Sequence, residues 1–551
     1  MDGLMQDAPL TLPHFVRRAE TLFADKELVT ATPAGRERTD YGTWADRTHR
    51  LGGVLDELGI SEDGRVATFG WNTARHLELY FAAPCTGRVL HTLNIRLFPE
   101  QLTYIANHAE DEVIFVDRSL LGLLMPLLPT FETVRHLVVM DDGASNEIPS
   151  NDGSDGPRIH DYEDLLAAAD PVAFQVDDER RAASMCYTSG TTGNPKGVVY
   201  SHRSTFLHTL GTMVAGGLGV HEPDRILPVV PMFHANAWGL AHAAVAAGAT
   251  LVMPGPDLSP PSLAALIEEE KVTVAAGVPT IWMGVLPELK GRDTSALRAI
   301  PCGGSAVPRA LSEAYREQTG LPILQAWGMT ETSPIASIAT IKSTLDAGLD
   351  DDGRADLRAT VGQPSVCVTA RIARPSAPGS PIEELPWDGE SSGELQVSGP
   401  WIASEYYDDE RSPESFTDDG WLKTGDVAVI DGHGYIRLVD RTKDVIKSGG
   451  EWISSVDLEN ELMGHPAVAE AAVIGIPHEK WAERPLACVV LKEGASATKE
   501  DLLAYLEGRV AKWWLPDDIA FIDEVPKTSV GKFSKKDLRS KFEGYALPTD
   551  G

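Results

Sequence analysis

Tyr187–Arg203 reads YTSGTTGNPKGVVYSHR, an apolar approach from Met185 to Tyr187 that runs into a Gly/Ser/Thr loop and then into a second apolar run. Gly190, Gly193 and Gly197 permit positive φ and close backbone approach, so successive N–H groups can point into one concavity. Thr188, Ser189, Thr191 and Thr192 add hydroxyl donors, and Lys196 adds a mobile positive charge. Together these groups suit a polyphosphate, although a plain polar turn between two strands would share the composition. The spacing GxxxxGK[ST] is absent because Lys196 precedes Gly197, which argues against a P-loop NTPase. No GxGxxG opens a helix, so a dinucleotide-dependent oxidoreductase has no support.

Outward from this loop, the bulk properties set limits. At 551 residues the chain exceeds what one hydrophobic core of about 250–300 residues can organise, so two or more domains are expected. Eighty-one acids against 48 bases give a net charge of −33, a field that repels nucleic acid and anionic lipid surfaces. An anionic ligand would therefore need a local concentration of Lys and Arg. The five cysteines (Cys85, Cys186, Cys302, Cys367 and Cys488) show no metal spacing and fit a reducing compartment. The opening MDGLMQDAPLTLPHF has no basic and apolar leader pattern, so no signal peptide and a cytoplasmic location are expected. The most apolar stretch, Trp238 to Met253, is shorter than the ~20 residues of a membrane span and reads as a buried helix followed by a strand.

Helical and extended patterns alternate through residues 43–140: a helix over Trp44–Leu58, a strand over Arg65–Gly70, a helix over Pro99–His108, and strands over Glu112–Val116 and Leu137–Met140. The alternation resumes after residue 180, with strands over Ile226–Val230, Thr250–Met253 and Val272–Gly277. Such alternation implies parallel βαβ units in an α/β protein. Asp141–Pro157 reads as a solvated acidic loop, and Arg374–Ser392 as a similar break between strands Thr369–Ala373 and Gly393–Val397. Near Asp440 a strand gives way to the charged turn DRTKD, and about a hundred residues of α+β character follow.

Six further segments occur in a fixed order: PMFHANAW (Pro231–Trp238), GGSAVP (Gly303–Pro308), QAWGMTETSP (Gln325–Pro334), KTGDVAVID (Lys423–Asp431), DRTKDVIKSGGEWIS (Asp440–Ser454) and PKTSVGKFSKKDLR (Pro526–Arg539). With the Tyr187–Arg203 loop, they closely resemble the signatures of the adenylate-forming superfamily of acyl-CoA synthetases, luciferases and peptide-synthetase adenylation domains. The nearest subgroup is similar to the medium- and long-chain fatty acyl-CoA synthetases. The resemblance implies a large N-terminal domain (1–439) of stacked βαβ subdomains plus a small barrel-like β subdomain, a hinge (440–444), and a small mobile α+β C-terminal domain (445–551). It also implies a two-step reaction. A carboxylate attacks the α-phosphate of ATP and releases pyrophosphate, and the thiol of CoA then displaces AMP from the acyl-adenylate.

Residue by residue, the resemblance makes Lys532 the catalytic lysine and Glu331 the Mg²⁺-binding acid, with Thr188 in the same metal and catalytic set. Ser189, Gly190, Thr191, Thr192, Gly193 and Lys196 complete the phosphate loop. Trp327 is implied to stack on adenine, in a position where many relatives carry Tyr, with Gly303, Gly304, Ser305 and Ala306 on the other side. Gln325, Ala326, Gly328, Met329 and Thr330 belong to the same nucleotide-binding segment. Asp426 is matched to the acid that accepts the ribose hydroxyls, beside Arg441 and the hinge residue Lys443. Lys447, Ser448, Gly449, Gly450 and Glu451 resemble the segment along CoA's pantetheine. His234, Trp238 and Gly303 border the acyl site, His234 with a catalytic part, and Trp452 resembles a tryptophan that gates a long-chain tunnel. Arg441, Lys443, Lys447, Arg484 and Lys532 form the basic cluster that the acidic chain needs. A medium- or long-chain fatty acid is the expected substrate. The alternatives are a short, branched, aromatic or sulfonium acid such as dimethylsulfoniopropionate, or an acyl-AMP ligase serving a carrier protein. A homodimer without nucleic acid or integral membrane partners completes the expectation.

Overall fold

The computed structural model describes residues 1, 3–149, 156–188, 194–374, 381–441, 443–448, 451–478, 480–527 and 533–548, and only the backbone of Glu451 and Trp452. Two α/β layers carry most of the chain. The first is a seven-stranded sheet in the order Arg158–Asp161, His136–Met140, Asp111–Asp117, Arg65–Phe69, Val89–Thr92, Ala182–Tyr187, Gly197–Ser201. All neighbours are parallel except the last pair, whose antiparallel turn contains the Gly/Ser/Thr loop. The second is a five-stranded sheet in the order Val274–Ala276, Arg225–Pro228, Thr250–Met253, Glu27–Thr32, Gly35–Asp40, parallel but for its terminal hairpin.

The parallel strands are near-continuous apolar runs because helices cover both faces. The Trp238–Met253 stretch resolves as expected. Helix Leu240–Ala247 is buried along its whole length, and Gly248 ends it at φ 74°. Strand Thr250–Met253 then takes the centre of the five-stranded sheet. A Cβ on Gly248 would stand 2.3 Å from the Phe23 ring, so the left-handed turn and the close approach both require glycine.

Boundaries moved where caps act. The helix expected from Trp44 spans Tyr41–Glu57, because Asp40 Oδ1 accepts the Thr43 N–H at 2.7 Å and starts it earlier. Helix Pro99–His108 stands as read, with proline at its first position. The segment Asp141–Pro157 is described in part, over residues 141–149 and 156–157. Residues 141–149 form no helix or strand and are exposed or half-buried as a solvated loop would be, except Asp142, which is buried and accepts the Ser119 N–H.

Two smaller sheets link these layers to the C-terminal region. Pro301–Cys302, Leu324–Gly328, Ile335–Ile338 and Gln363–Pro364 form one. The antiparallel meander Thr369–Ala373, Ser392–Ser398, Leu422–Ile430, Ile436–Arg441 forms the other, and corresponds to the small β subdomain. A bridge between Gly362 and Ile436 joins the two. Beyond Arg441 lies a five-stranded sheet of Glu451–Ile453, Ile446–Ser448, Ala482–Leu491, Val468–His478 and Asp518–Phe521, with helices Ser455–Met463, Lys499–Leu506 and Lys535–Lys541.

This α+β unit docks through the end of the meander. Asp440 Oδ2 accepts the Ser455 N–H at 2.9 Å, placing a carboxylate at the N-terminus of helix Ser455–Met463. Ser454 Oγ donates to the Val439 carbonyl at 2.5 Å. No helix among the described residues is long and apolar enough to cross a membrane.

Candidate active site

The C-terminal end of strand Ala182–Tyr187, the Gly303–Gly304 turn and the end of strand Leu324–Gly328 converge on one cavity of about 250 Å³. In open α/β sheets, ligands bind where several strands end at their carboxyl edges. At one wall, the Thr188 N–H donates to the Lys196 carbonyl at 2.9 Å, and the Lys196 N–H returns to Thr188 Oγ1 at 3.1 Å. These two bonds close the base of the glycine loop. Ser189–Gly193 themselves lie outside the described residues.

Glu331 sits in a single 3₁₀ turn, Thr330–Thr332, at the far side of the same cavity. It is buried, and its Oε1 accepts the Tyr406 hydroxyl at 2.6 Å. Lys196 extends toward the same tyrosine. Its ammonium lies 4.3 Å from the centre of the Tyr406 ring and donates to Ser415 Oγ at 3.2 Å. Burial first, and then the Glu331 charge, push the Tyr406 hydroxyl far above the ordinary tyrosine range, so it stays a proton donor.

The floor is set by two close backbone approaches. A Cβ on Gly303 would lie 2.5 Å from the Ala326 carbonyl and 3.5 Å from the Trp238 ring, and a Cβ on Gly328 would meet the Pro334 carbonyl at 1.7 Å. Glycine is required at both positions. Gln325 is buried, and its Oε1 accepts the Val307 N–H at 3.3 Å, bracing the GGSAVP turn. Thr330 contributes its carbonyl to the Tyr200 hydroxyl at 2.7 Å. Met329 and Ala326 line the cavity between them.

His234 and Trp238 reach the cavity from a segment whose residues Ala235–Gly239 all have positive φ, from 42° to 75°. A left-handed run of non-glycine residues costs roughly 1–2 kcal/mol per residue and persists only where surroundings impose it. Asn236 supplies that constraint. Its Nδ2 donates to Ser184 Oγ at 3.1 Å, and its Oδ1 accepts from Cys186 Sγ at 3.5 Å. His234 and Trp238 are thereby fixed to the strand that leads into the glycine loop.

At the other end Trp327, Asp426 and Arg441 form a cluster. Trp327 Nε1–H donates to Asp426 Oδ2 at 2.9 Å, and Arg441 Nε lies 3.0 Å from Asp426 Oδ1. Asp426 is 2 % exposed. The Asp426 charge, more than any other group, raises the Arg441 pKa. Each carboxylate oxygen keeps acceptor capacity for one further donor.

A second cavity of about 280 Å³ shares Gly304, Ala326, Trp327, Gly328 and Arg441 with the first and opens toward the C-terminal unit. Ser305, Ala306, Asp426 and Lys443 line it, facing Glu459, Phe533, Ser534, Lys535, Lys536 and Arg539. Lys443 is exposed at the cavity's edge, and desolvation by the surrounding walls lowers its pKa. Lys535 Nζ lies 2.8 Å from Glu459 Oε1, and Glu459 with Asp440 keeps it charged despite burial. Lys532 lies outside the described residues.

The expected CoA segment falls elsewhere. The Lys447 N–H donates to Glu483 Oε2 at 2.9 Å, Ser448 Oγ accepts from Arg484 Nη1 at 3.1 Å, and neither residue lines either cavity. Gly449 and Gly450 lie outside the described residues, as do the side chains of Glu451 and Trp452; the backbone of Trp452 pairs with Lys447. The basic cluster read from the sequence therefore divides. Arg441 and Lys443 face the cavities, whereas the Arg484 guanidinium is taken up by Asp517, Ser448 and the carbonyls of Trp513 and Leu515. Lys535, Lys536 and Arg539 also line the second cavity, Lys535 paired with Glu459 and Arg539 with Asp444 at 2.5 Å. Tyr406 and Ser415 were not singled out in the sequence, because no periodicity or charge spacing marks a tyrosine whose partner lies 75 residues away.

Residues 16–407 match the family of AMP-binding enzymes, and residues 457–532 match the AMP-binding enzyme C-terminal domain. The chain is 46% identical to a long-chain-fatty-acid–CoA ligase of Thermus thermophilus, over 98% of this chain and 97% of the relative. It is 42% identical to a 3-methylmercaptopropionyl-CoA ligase of Ruegeria pomeroyi, over 98% and 99% respectively. Its fold superposes on the crystal structure of ATP-bound MatB from Rhodopseudomonas palustris with a TM-score of 0.80 at 26% identity, covering 97% of this chain and 99% of the other.

Proposed function

The chain belongs to the AMP-binding enzyme family, and on that premise we propose that it is an AMP-forming acid–CoA ligase acting on medium- or long-chain fatty acids. The observation that carries this reading is the convergence of the glycine-loop base, Glu331 and the Trp327–Asp426–Arg441 cluster on one pair of connected cavities.

ATP is proposed to lie along that line, its phosphates against Thr188 and Lys196, its ribose on Asp426 and its base against Trp327. A carboxylate entering beside His234 and Trp238 attacks the α-phosphorus, and pyrophosphate leaves. Lys196 and the proposed catalytic Lys532 offset the negative charge that accumulates on the phosphates. In the second step the CoA thiol attacks the acyl carbonyl and AMP departs.

Among the described residues no group of three or more His, Cys, Asp or Glu side chains converges as a metal cage. A single buried acid with neighbouring hydroxyls still fits Mg²⁺, which keeps waters and takes substrate phosphates as ligands. Glu331 and Thr188 would hold it, and it would neutralise phosphate charge. The boundary is placed at the 440–444 turn, with Lys443 as hinge. Because Lys447 and Ser448 lie away from both cavities, bringing them to the adenylate requires the C-terminal unit to turn about that point. A cytoplasmic homodimer completes the proposal.

A second reading, a short sulfur-containing acid, is favoured by the Trp238 ring that closes the floor beside Gly303 and by the 42% identical relative. A panel of acids from propionate and 3-methylmercaptopropionate to palmitate, assayed by AMP release at saturating CoA, separates the two. Highest kcat/KM at eight carbons or more supports the first reading; a maximum at the short thioether acid supports the second.

A further inference from the structure

Lys196 and Glu331 are opposite charges facing one partly buried cavity, where Coulombic attraction is strong and little screened. Left alone, they would be drawn together, and a neutral pair would offer neither a free cation to phosphate nor a free anion to a metal. Lys196 and Glu331 nevertheless form no ion pair with each other. Tyr406 occupies the interval. Its ring face takes the Lys196 ammonium at 4.3 Å, and its hydroxyl, at the other end of the same ring, donates to Glu331 at 2.6 Å.

The remaining partners are consistent with this. Lys196 has a neutral hydroxyl, Ser415 Oγ, as its hydrogen-bond acceptor at 3.2 Å. Asp409, the nearby acid on the same segment, is occupied by Arg411. The segment is itself tied to both sides of the cavity: the Tyr407 N–H donates to the Gly197 carbonyl at 2.9 Å, and the Ala403 N–H to the Glu331 carbonyl at 2.8 Å. Tyr406 is buried, so its ring cannot leave without opening the cavity wall.

We propose that Tyr406 is a positioning residue that keeps Lys196 and Glu331 from pairing, so that both charges remain available to the incoming nucleotide. A ring satisfies the ammonium without cancelling its charge, and a hydroxyl satisfies one carboxylate lobe while leaving the other open. The proposal rests on the reading that this cavity takes the phosphates of ATP.

The test is calorimetric titration of ATP in EDTA into wild type, Tyr406→Leu, Glu331→Gln and the double variant, with Tyr406→Phe as the isosteric control. Tyr406→Leu lets the two charges pair and is expected to weaken ATP binding about tenfold, while Tyr406→Phe, which keeps the ring face, weakens it about threefold or less. Adding Glu331→Gln to Tyr406→Leu removes the competitor and is expected to restore binding to within about threefold of Glu331→Gln alone, a non-additivity that a purely structural loss would not give. Unchanged affinity in Tyr406→Leu, or additive effects in the double variant, overturns the proposal. If Tyr406→Leu does not fold, a threefold-or-greater loss in Tyr406→Phe that Glu331→Gln deepens overturns it as well. Failure of wild type to bind ATP would instead refute the nucleotide reading of the cavity.

Discussion

Replacing Trp327 with Phe keeps an aromatic face at the cavity but deletes the 2.9 Å indole bond to Asp426. Asp426 is 2 % exposed, so water cannot readily replace the lost donor, and Arg441 holds only the other oxygen. A hydrogen bond to a charged acceptor contributes roughly 1.5–3 kcal/mol, and that loss corresponds to about 10- to 150-fold in an equilibrium. The carboxylate becomes free to turn out of the orientation in which it faces the second cavity. Trp327→Phe is therefore expected to lower kcat/KM for ATP by about 10- to 100-fold, mostly through KM, since ground-state binding and the transition state lose the same contact. Pyrophosphate release with varied ATP measures it. A double-variant cycle with Asp426→Ala isolates the bond: if it is the operative contact, the double variant is no slower than Asp426→Ala alone. A Trp327→Phe enzyme within about twofold of wild type, or additive losses in the cycle, would refute the reasoning.

Other expectations test separate parts of the site. Lys443→Pro should slow thioester formation at least about tenfold while adenylation stays within about threefold, because a hinge torsion is fixed; equal slowing of both steps removes the hinge role. Gly303→Ala places a methyl 2.5 Å from a backbone carbonyl, and overpacking of about 1–3 kcal/mol with a lower melting temperature is expected. Calorimetry together with AMP release checks it, and unchanged melting and rate would show that the turn can shift. Asp117 is fully buried, its Oδ1 has no hydrogen-bond partner among the described residues, and burial raises its pKa to about 8. A carboxyl raised in the folded state stabilises at low pH, and that contribution is lost as pH rises toward about 8, at up to about 1.4 kcal/mol per pH unit. Asp117→Asn should therefore flatten the fall in melting temperature between pH 5 and pH 8; parallel profiles would show that Asp117 is already ionised at pH 5.

The α/β layering was legible because each buried parallel strand, such as Asp111–Asp117 or Thr250–Met253, is a short apolar run bounded by turn residues. Local chemistry was legible too, as in the loop base at Thr188 and Lys196. What could not be read was the meeting of distant side chains. Trp327 and Asp426 lie 99 residues apart, and Tyr406 and Glu331 lie 75 apart, so neither pair leaves a local pattern. The basic cluster was misread for a related reason: sequence reveals charge but not whether it is already spent. Arg484 is consumed by Asp517 and two carbonyls, and Lys535 and Arg539, although they line the second cavity, are themselves paired with Glu459 and Asp444.

The central claim, a carboxylate adenylated and then passed to CoA, is tested most directly by following both half-reactions in one preparation. Pyrophosphate–ATP exchange is predicted to require a carboxylic acid but not CoA, and AMP is predicted to accumulate one-for-one with thioester only when CoA is added. Exchange that no acid supports, or AMP released at the same rate with and without CoA, would contradict the account.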